Sequence, residues 1–168
     1  MKNLLVLTGV LLSLSGGGAL AQSVEKSSAP AAYAVVRDAP RFAVGGVGFA
    51  ATLSEEEKAL GTLVERKDAA ATLEGLLKDR RATVSGRLYA LLGLKHLAAG
   101  EPKAFAERLR AHFAAYRSRG EEVEVMSGCV VFREPVSAVA KKIESGDLRL
   151  SARVLPGGQQ KKAGAEPR

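Results

Sequence analysis

Residues 83–100 read TVSGRLYALLGLKHLAAG, and this stretch decides the fold. Thr83 is a helix N-cap, because its hydroxyl can take one of the free N–H groups of the first turn. Val84, Leu88, Tyr89, Leu91, Leu92, Leu94 and Leu97 then fall almost all round the helix. A helix that is apolar on most sides sits at the centre of a domain, with other elements packed on several faces. Gly86 and Gly93 are seven apart and share a face. Both cost helix stability, so they mark places where a neighbour approaches closely. Gly100 ends this helix and Pro102 opens the next.

Outward from this centre the helical period repeats. Upstream, Asp68 is positioned to cap a helix carrying Ala70, Leu73, Leu76 and Leu77. Before it, Ser54 and Glu57 have the spacing of a capping box ahead of Leu60, Leu63 and Val64. Downstream, Phe105, Leu109, Phe113 and Tyr116 form one stripe, while Lys103, Glu107, Arg108, Arg110 and Arg117 face water. Pro135 starts a last helix on Val136, Val139, Ala140 and Ile143, closed by Gly146.

The period changes between these last two helices. Glu122-Val123-Glu124-Val125 alternates polar and apolar, and Cys129-Val130-Val131-Phe132 is a β-favouring run, with Ser127-Gly128 as the turn between them. Arg41 to Ala50, RFAVGGVGFA, reads either as a strand beside this hairpin or as an extended cover over the helices; the residues leave Gly45–Gly48 open between strand and loop. The expected architecture is mainly α: a compact four- to five-helix domain with a small β-hairpin or short strand pair near residues 121–133. Composition agrees. The 168 residues include 28 Ala and 22 Leu but three Tyr, five Phe and no Trp, a small-residue, leucine-based core.

The termini carry the organisation. Residues 1–21, MKNLLVLTGVLLSLSGGGALA, have a Lys2 n-region, an apolar run from Leu4 to Leu14, and Ala19-Leu20-Ala21 before Gln22. This is the pattern of a cleaved secretory signal peptide, which predicts export to the periplasm or beyond the cell. The rival is an uncleaved anchor, against which Gly16, Gly17 and Gly18 argue by weakening a membrane helix. No later run is apolar enough to span a membrane. Residues 22–40 read as a flexible lead-in, 41–148 as the folded domain, and 149–168 as a disordered basic tail.

Two resemblances accompany this reading. Asp68 to Leu97, with LEGLLKDRRATVSGRLYALLGLKHL at its centre, resembles a single HEAT-like helix pair; no second copy follows at a solenoid period. GGVGFAATLSEEEKAL, GRLYALLGLKHL and EVMSGCVVFREPV, in that order, resemble a family of uncharacterised exported bacterial single-domain proteins. That resemblance implies export and one domain, and carries no activity.

Candidate chemistry is sparse. One Cys and two His exclude a multi-cysteine zinc site and an intrachain disulfide, and no metal or other cofactor is expected. Cys129 with His96 or His112 is the weak candidate for a thiol enzyme. The simpler reading is that Cys129 packs as a small buried hydrophobe in its apolar run, reduced and unreactive, and that both histidines flank helices. Gly45, Gly46 and Gly48 precede a capped helix start, as in phosphate loops. No Lys-Ser or Lys-Thr follows, and Glu55, Glu56 and Glu57 would repel phosphate. Glu121, Glu122 and Glu124 form an acidic cluster, and Glu122 and Glu124 share a strand face turned to solvent. Lys141 and Lys142 read as a solvated face.

The net charge of +7 is scattered, which argues against specific nucleic-acid binding. The leading functional expectation is an exported, non-catalytic helical domain that binds a protein or an anionic envelope polymer. The alternatives are a small hydrolase or thiol enzyme centred on Cys129, and attachment to anionic surfaces through the basic tail.

Overall fold

The computed structural model describes residues 28–98 and 103–154. The leader (1–21), the helix boundary at Gly100 and Pro102, and the tail beyond Val154 lie outside the described residues. The elements run α1 (Ala29–Arg37), β1 (Phe42–Val47), α2 (Glu55–Val64), α3 (Ala69–Lys78), α4 (Val84–Leu97), α5 (Lys103–Arg117), β2 (Glu122–Gly128), β3 (Val130–Pro135) and α6 (Val136–Ser145). The protein is mainly helical with a small three-stranded sheet.

α4 is the central element. It packs against α1, α2, α3, α5 and α6 and against β1 and β2. Leu88, Tyr89, Ala90, Leu91, Leu92 and Leu94 are buried all round it, as the near-continuous apolar sequence requires. Each such leucine contributes about 1.5–3 kcal/mol. The Thr83 hydroxyl accepts the Gly86 N–H at 2.9 Å and donates to Ala39 O at 2.8 Å, so one side chain starts α4 and ties it to the segment after α1. The two α4 glycines are contact points. A β-carbon at Gly86 would lie 2.5 Å from Val36 O and 2.6 Å from Arg37 O; one at Gly93 would lie 2.8 Å from Leu73 Cδ1 and 2.9 Å from Leu60 Cδ1.

The sheet has the order β1-β2-β3. β1 runs parallel to β2, with Phe42 opposite Val125, and β3 runs antiparallel to β2, with Val125 opposite Phe132. The Arg41–Ala50 segment is therefore in part a strand. The hairpin turn lies one residue later than the sequence suggests. Ser127 pairs with Val130, so Gly128 and Cys129 form the two-residue turn. Gly128 has φ +57° while Cys129 does not have a positive φ, the type II′ arrangement that matches the twist of the flanking strands.

Several local expectations are corrected. Within the stretch read as a flexible lead-in (22–40), residues 29–37 are helical, because Ala32 and Val36 stand one turn apart and both bury completely. Within the tail read as disordered (149–168), residues 149–154 dock: Leu150 is buried and Val154 packs against Gly61. Ser54 caps α2 as expected, accepting the Glu57 N–H at 3.1 Å. The reciprocal half of the capping box is not made, because the Glu57 carboxylate points elsewhere. Asp68 does not cap α3 with its side chain; its carboxylate is held by Arg66 through two hydrogen bonds.

Candidate functional site

The sheet has two edge strands, β1 and β3. On β1 the outward groups are taken: Ala43 N–H and C=O by the Tyr89 hydroxyl, Gly45 N–H by Glu57, and Val47 by Thr52, while β3 is paired along β2 and along nothing else among the described residues. In a two-residue hairpin the pair next to the turn exchanges both hydrogen bonds, and such pairs alternate along the ladder. Val130, Phe132 and Glu134 therefore turn their N–H and C=O toward β2. Val131 and Arg133 turn theirs outward, to the free edge. Pro135 has no N–H and ends it.

The side chains along this edge are apolar and in water. Val130 is 61% exposed, Val131 42% and Phe132 37%. This overturns the expectation that Cys129–Phe132 packs on the helices. Phe42, Val123 and Val125 belong to the core beneath the sheet, and β3, the outer strand, lies at its margin. Phe49 is fully exposed in the turn after β1. The Gly48 N–H donates to Gly128 O at 2.8 Å, which sets that turn beside the hairpin turn. Phe49, Cys129 and Val130 thus gather at one end of the sheet.

Cys129 is exposed, not buried, because it occupies the turn rather than the strand. It makes no hydrogen bond with His96 or His112. His96 lies in the last turn of α4 and His112 on α5, both half-buried. The three residues of the thiol-enzyme candidate do not form a nucleophile–base pair. No three His, Cys, Asp or Glu side chains among the described residues gather closely enough to hold a metal ion. The acidic cluster is dispersed: Glu121 pairs with Arg119 at 3.0 Å and Glu124 with Arg133 at 3.8 Å. Lys142 donates to Glu134 at 2.6 Å, while Lys141 is exposed.

The glycine segment holds a carboxylate of its own chain in place of a phosphate. Glu57 is fully buried, and its two oxygens accept the Gly45 N–H at 2.8 Å and the Ser151 N–H at 2.9 Å. Burial pushes this carboxyl above the usual range, and the two N–H donors only partly offset that. Beside it, the Tyr89 hydroxyl donates to Ala43 O at 2.7 Å and accepts the Ala43 N–H at 2.8 Å; burial pushes the phenol up to about 12. Glu57 and Tyr89 are thus structural ties on β1. Sequence reading placed one as a capping partner and the other as a plain core residue. The signal for Glu57 is its position: it follows Ser54 by three and precedes Leu60 by three, on the inward face of α2.

No family model, no curated protein and no solved structure matches this chain. Among the described residues, no helix is long and apolar enough to cross a membrane.

Proposed function

We propose that this protein is a non-catalytic binding domain that receives an extended segment of a protein partner as an added strand along β3. The observation that carries the reading is the unpaired apolar edge, Val130-Val131-Phe132. Natural edge strands are blunted by charge, proline, bulges or a covering element, and this one has none of these before Arg133. Strand addition uses the outward N–H and C=O of Val131 and Arg133 for affinity. Phe49 and Val130 supply apolar footholds for specificity. The leader pattern of residues 1–21 supports a partner met outside the cytoplasm, in the periplasm or beyond the cell. Cys129, His96 and His112 lie on three separate elements and make no hydrogen bond to one another, which supports binding rather than catalysis.

The test compares wild-type protein with Val131→Pro. The substitution removes one outward N–H at an edge position where proline is tolerated, so the fold persists. Both proteins are cross-linked in the native envelope and the captured partner is mapped. The reading expects cross-links at residues 129–133, protection of the Val131 and Arg133 amides from hydrogen exchange, and loss of the complex in V131P. Equal capture by V131P, or protection confined to the helices, overturns it.

A further inference from the structure

The alternation that turns Val130, Phe132 and Glu134 toward β2 also turns Val123, Val125 and Ser127 toward β3. Glu122 and Glu124 therefore aim their N–H and C=O at the β1 side. β1 joins β2 only at Phe42, opposite Val125, after the chain bends at Pro40 and Arg41. The Glu124 N–H and the Glu122 C=O thus face no strand, and neither has a backbone partner among the described residues. They open instead on a cleft of about 310 Å³, walled by Pro40, by residues 122–124 and by Val84 and Ser85 at the start of α4.

The α4 wall is a row of donors. Thr83 accepts the Gly86 N–H, and the Arg87 N–H reaches Thr83 O. That leaves the Val84 and Ser85 N–H groups without a partner among the described residues. A helix start alone means little, since such groups ordinarily meet water. Ser85 is the second observation. It is only 3% exposed, and its hydroxyl makes no hydrogen bond among the described residues. Buried hydroxyls are nearly always paired, so one that opens on a cleft calls for an acceptor from outside the chain. Ser85 thus presents two donors, N–H and O–H, at the positive end of a 14-residue helix.

We infer that this cleft binds the carboxylate end of an extended peptide. The Val84 and Ser85 N–H groups and the Ser85 hydroxyl receive the terminal carboxylate. The Glu124 N–H donates to a carbonyl of the peptide, and the Glu122 C=O accepts one of its N–H groups, so the peptide continues the sheet where β1 stops. Small-molecule sites begin near roughly 300 Å³, so the cleft takes the end of a chain and not a long segment. Its acidic wall selects a single negative charge. Glu124 has Arg133 at 3.8 Å, but Glu122 and Glu124 together disfavour a dianion such as phosphate. The site lies on the β1 side of β2, separate from the β3 edge, so the two proposals stand or fall independently.

The experiment uses the full chain and the capped tripeptide acetyl-Ala-Ala-Ala as its free acid, followed by backbone amide shifts. Saturable shifts are expected at Val84, Ser85 and Glu124. The C-terminal amide of the same peptide binds about tenfold more weakly, because it is uncharged and sets a donor against donors. Acetate shifts Val84 and Ser85 but not Glu124, and inorganic phosphate does not compete with the free acid. Ser85→Ala weakens the free acid about fivefold and melts with wild type, since the hydroxyl has no partner in the chain to lose. Equal binding of acid and amide, competition by phosphate, or unchanged affinity in S85A overturns the inference. So do shifts confined to Val131 and Arg133, which would place the peptide on the β3 edge, and the absence of any saturable shift, which would leave Ser85 served by water alone.

Discussion

At the scale of single residues, Glu57 and Cys129 show how far position outweighs residue type. Glu57 is acidic and fully buried, with no ion pair among the described residues; its partners are the Gly45 and Ser151 amides and its neighbour is the Tyr89 phenol. Replacement by Ala should cost about 2–4 kcal/mol, because two buried N–H groups lose their acceptor. Replacement by Gln should cost about 1–3 kcal/mol, since one N–H would face an amide donor. The pH dependence follows from the raised carboxyl. The folded protein holds the Glu57 proton more tightly than the unfolded chain, so this group's stabilising contribution is full below the ordinary glutamate value, about 4.3. It falls as pH rises through the raised folded value. Urea unfolding between about pH 4 and pH 7 should therefore show the stability advantage of wild type over E57Q shrinking as pH increases. Cys129 makes the opposite point. In a turn it should label rapidly with maleimide in the native state, and Cys129→Ser should change stability by less than about 0.5 kcal/mol. Slow native labelling that accelerates in denaturant would contradict its exposure.

At the scale of elements, helices were legible where period and cap agreed. α2, α4, α5 and α6 have apolar stripes that bury as the spacing demands, and Ser54 and Thr83 cap where their hydroxyls reach the first turn. α1 was not legible, because Ser, Ala and Pro dominate its surroundings and only Ala32 and Val36 mark its buried face. The hairpin was legible as a pair, since Val123 and Val125 alternate with Glu122 and Glu124. Its outer strand was misread. Val130-Val131-Phe132 has no alternation, and an unbroken apolar run reads as core whether it is buried or is an open edge. That edge is the candidate site, so the same ambiguity that hid its exposure hid its role. The closest helix contact also belongs here. Gly86→Ala would drive a β-carbon into the Val36 and Arg37 carbonyls and force α1 off α4. The expected cost is about 1–3 kcal/mol by denaturant titration, with Gly75→Ala, where a β-carbon meets nothing, neutral or slightly stabilising.

At the scale of the whole molecule, the C-terminal segment is part of the fold. Leu150 is buried, Ser151 supplies half of the Glu57 cradle, and Val154 lies over Gly61. A chain ending at Leu148 loses all three. It should be destabilised by about 3–5 kcal/mol, from roughly 2 kcal/mol of leucine burial and the orphaned carboxylate. That corresponds to a melting temperature lower by on the order of 10 °C. Calorimetry of a chain ending at Leu148 beside one ending at Val154 measures what residues 149–154 contribute.

The parallel pairing of β1 with β2 also orders events in time. A hairpin such as β2–β3 closes across two residues and forms early, as do adjacent helices such as α3 and α4. β1 has a local partner only at its end, where Val47 bridges Thr52; its ladder is with β2. It must wait until the whole helical run from α2 to α5 has been laid down before its ladder can form, and the Glu57–Ser151 bond, 94 positions apart, closes later still along the chain. Non-local closures of this kind slow folding at a given stability. During synthesis, then, β1 waits for β2 and the second acceptor bond of Glu57 waits for Ser151, and a nascent chain is held short of its native state by connectivity alone.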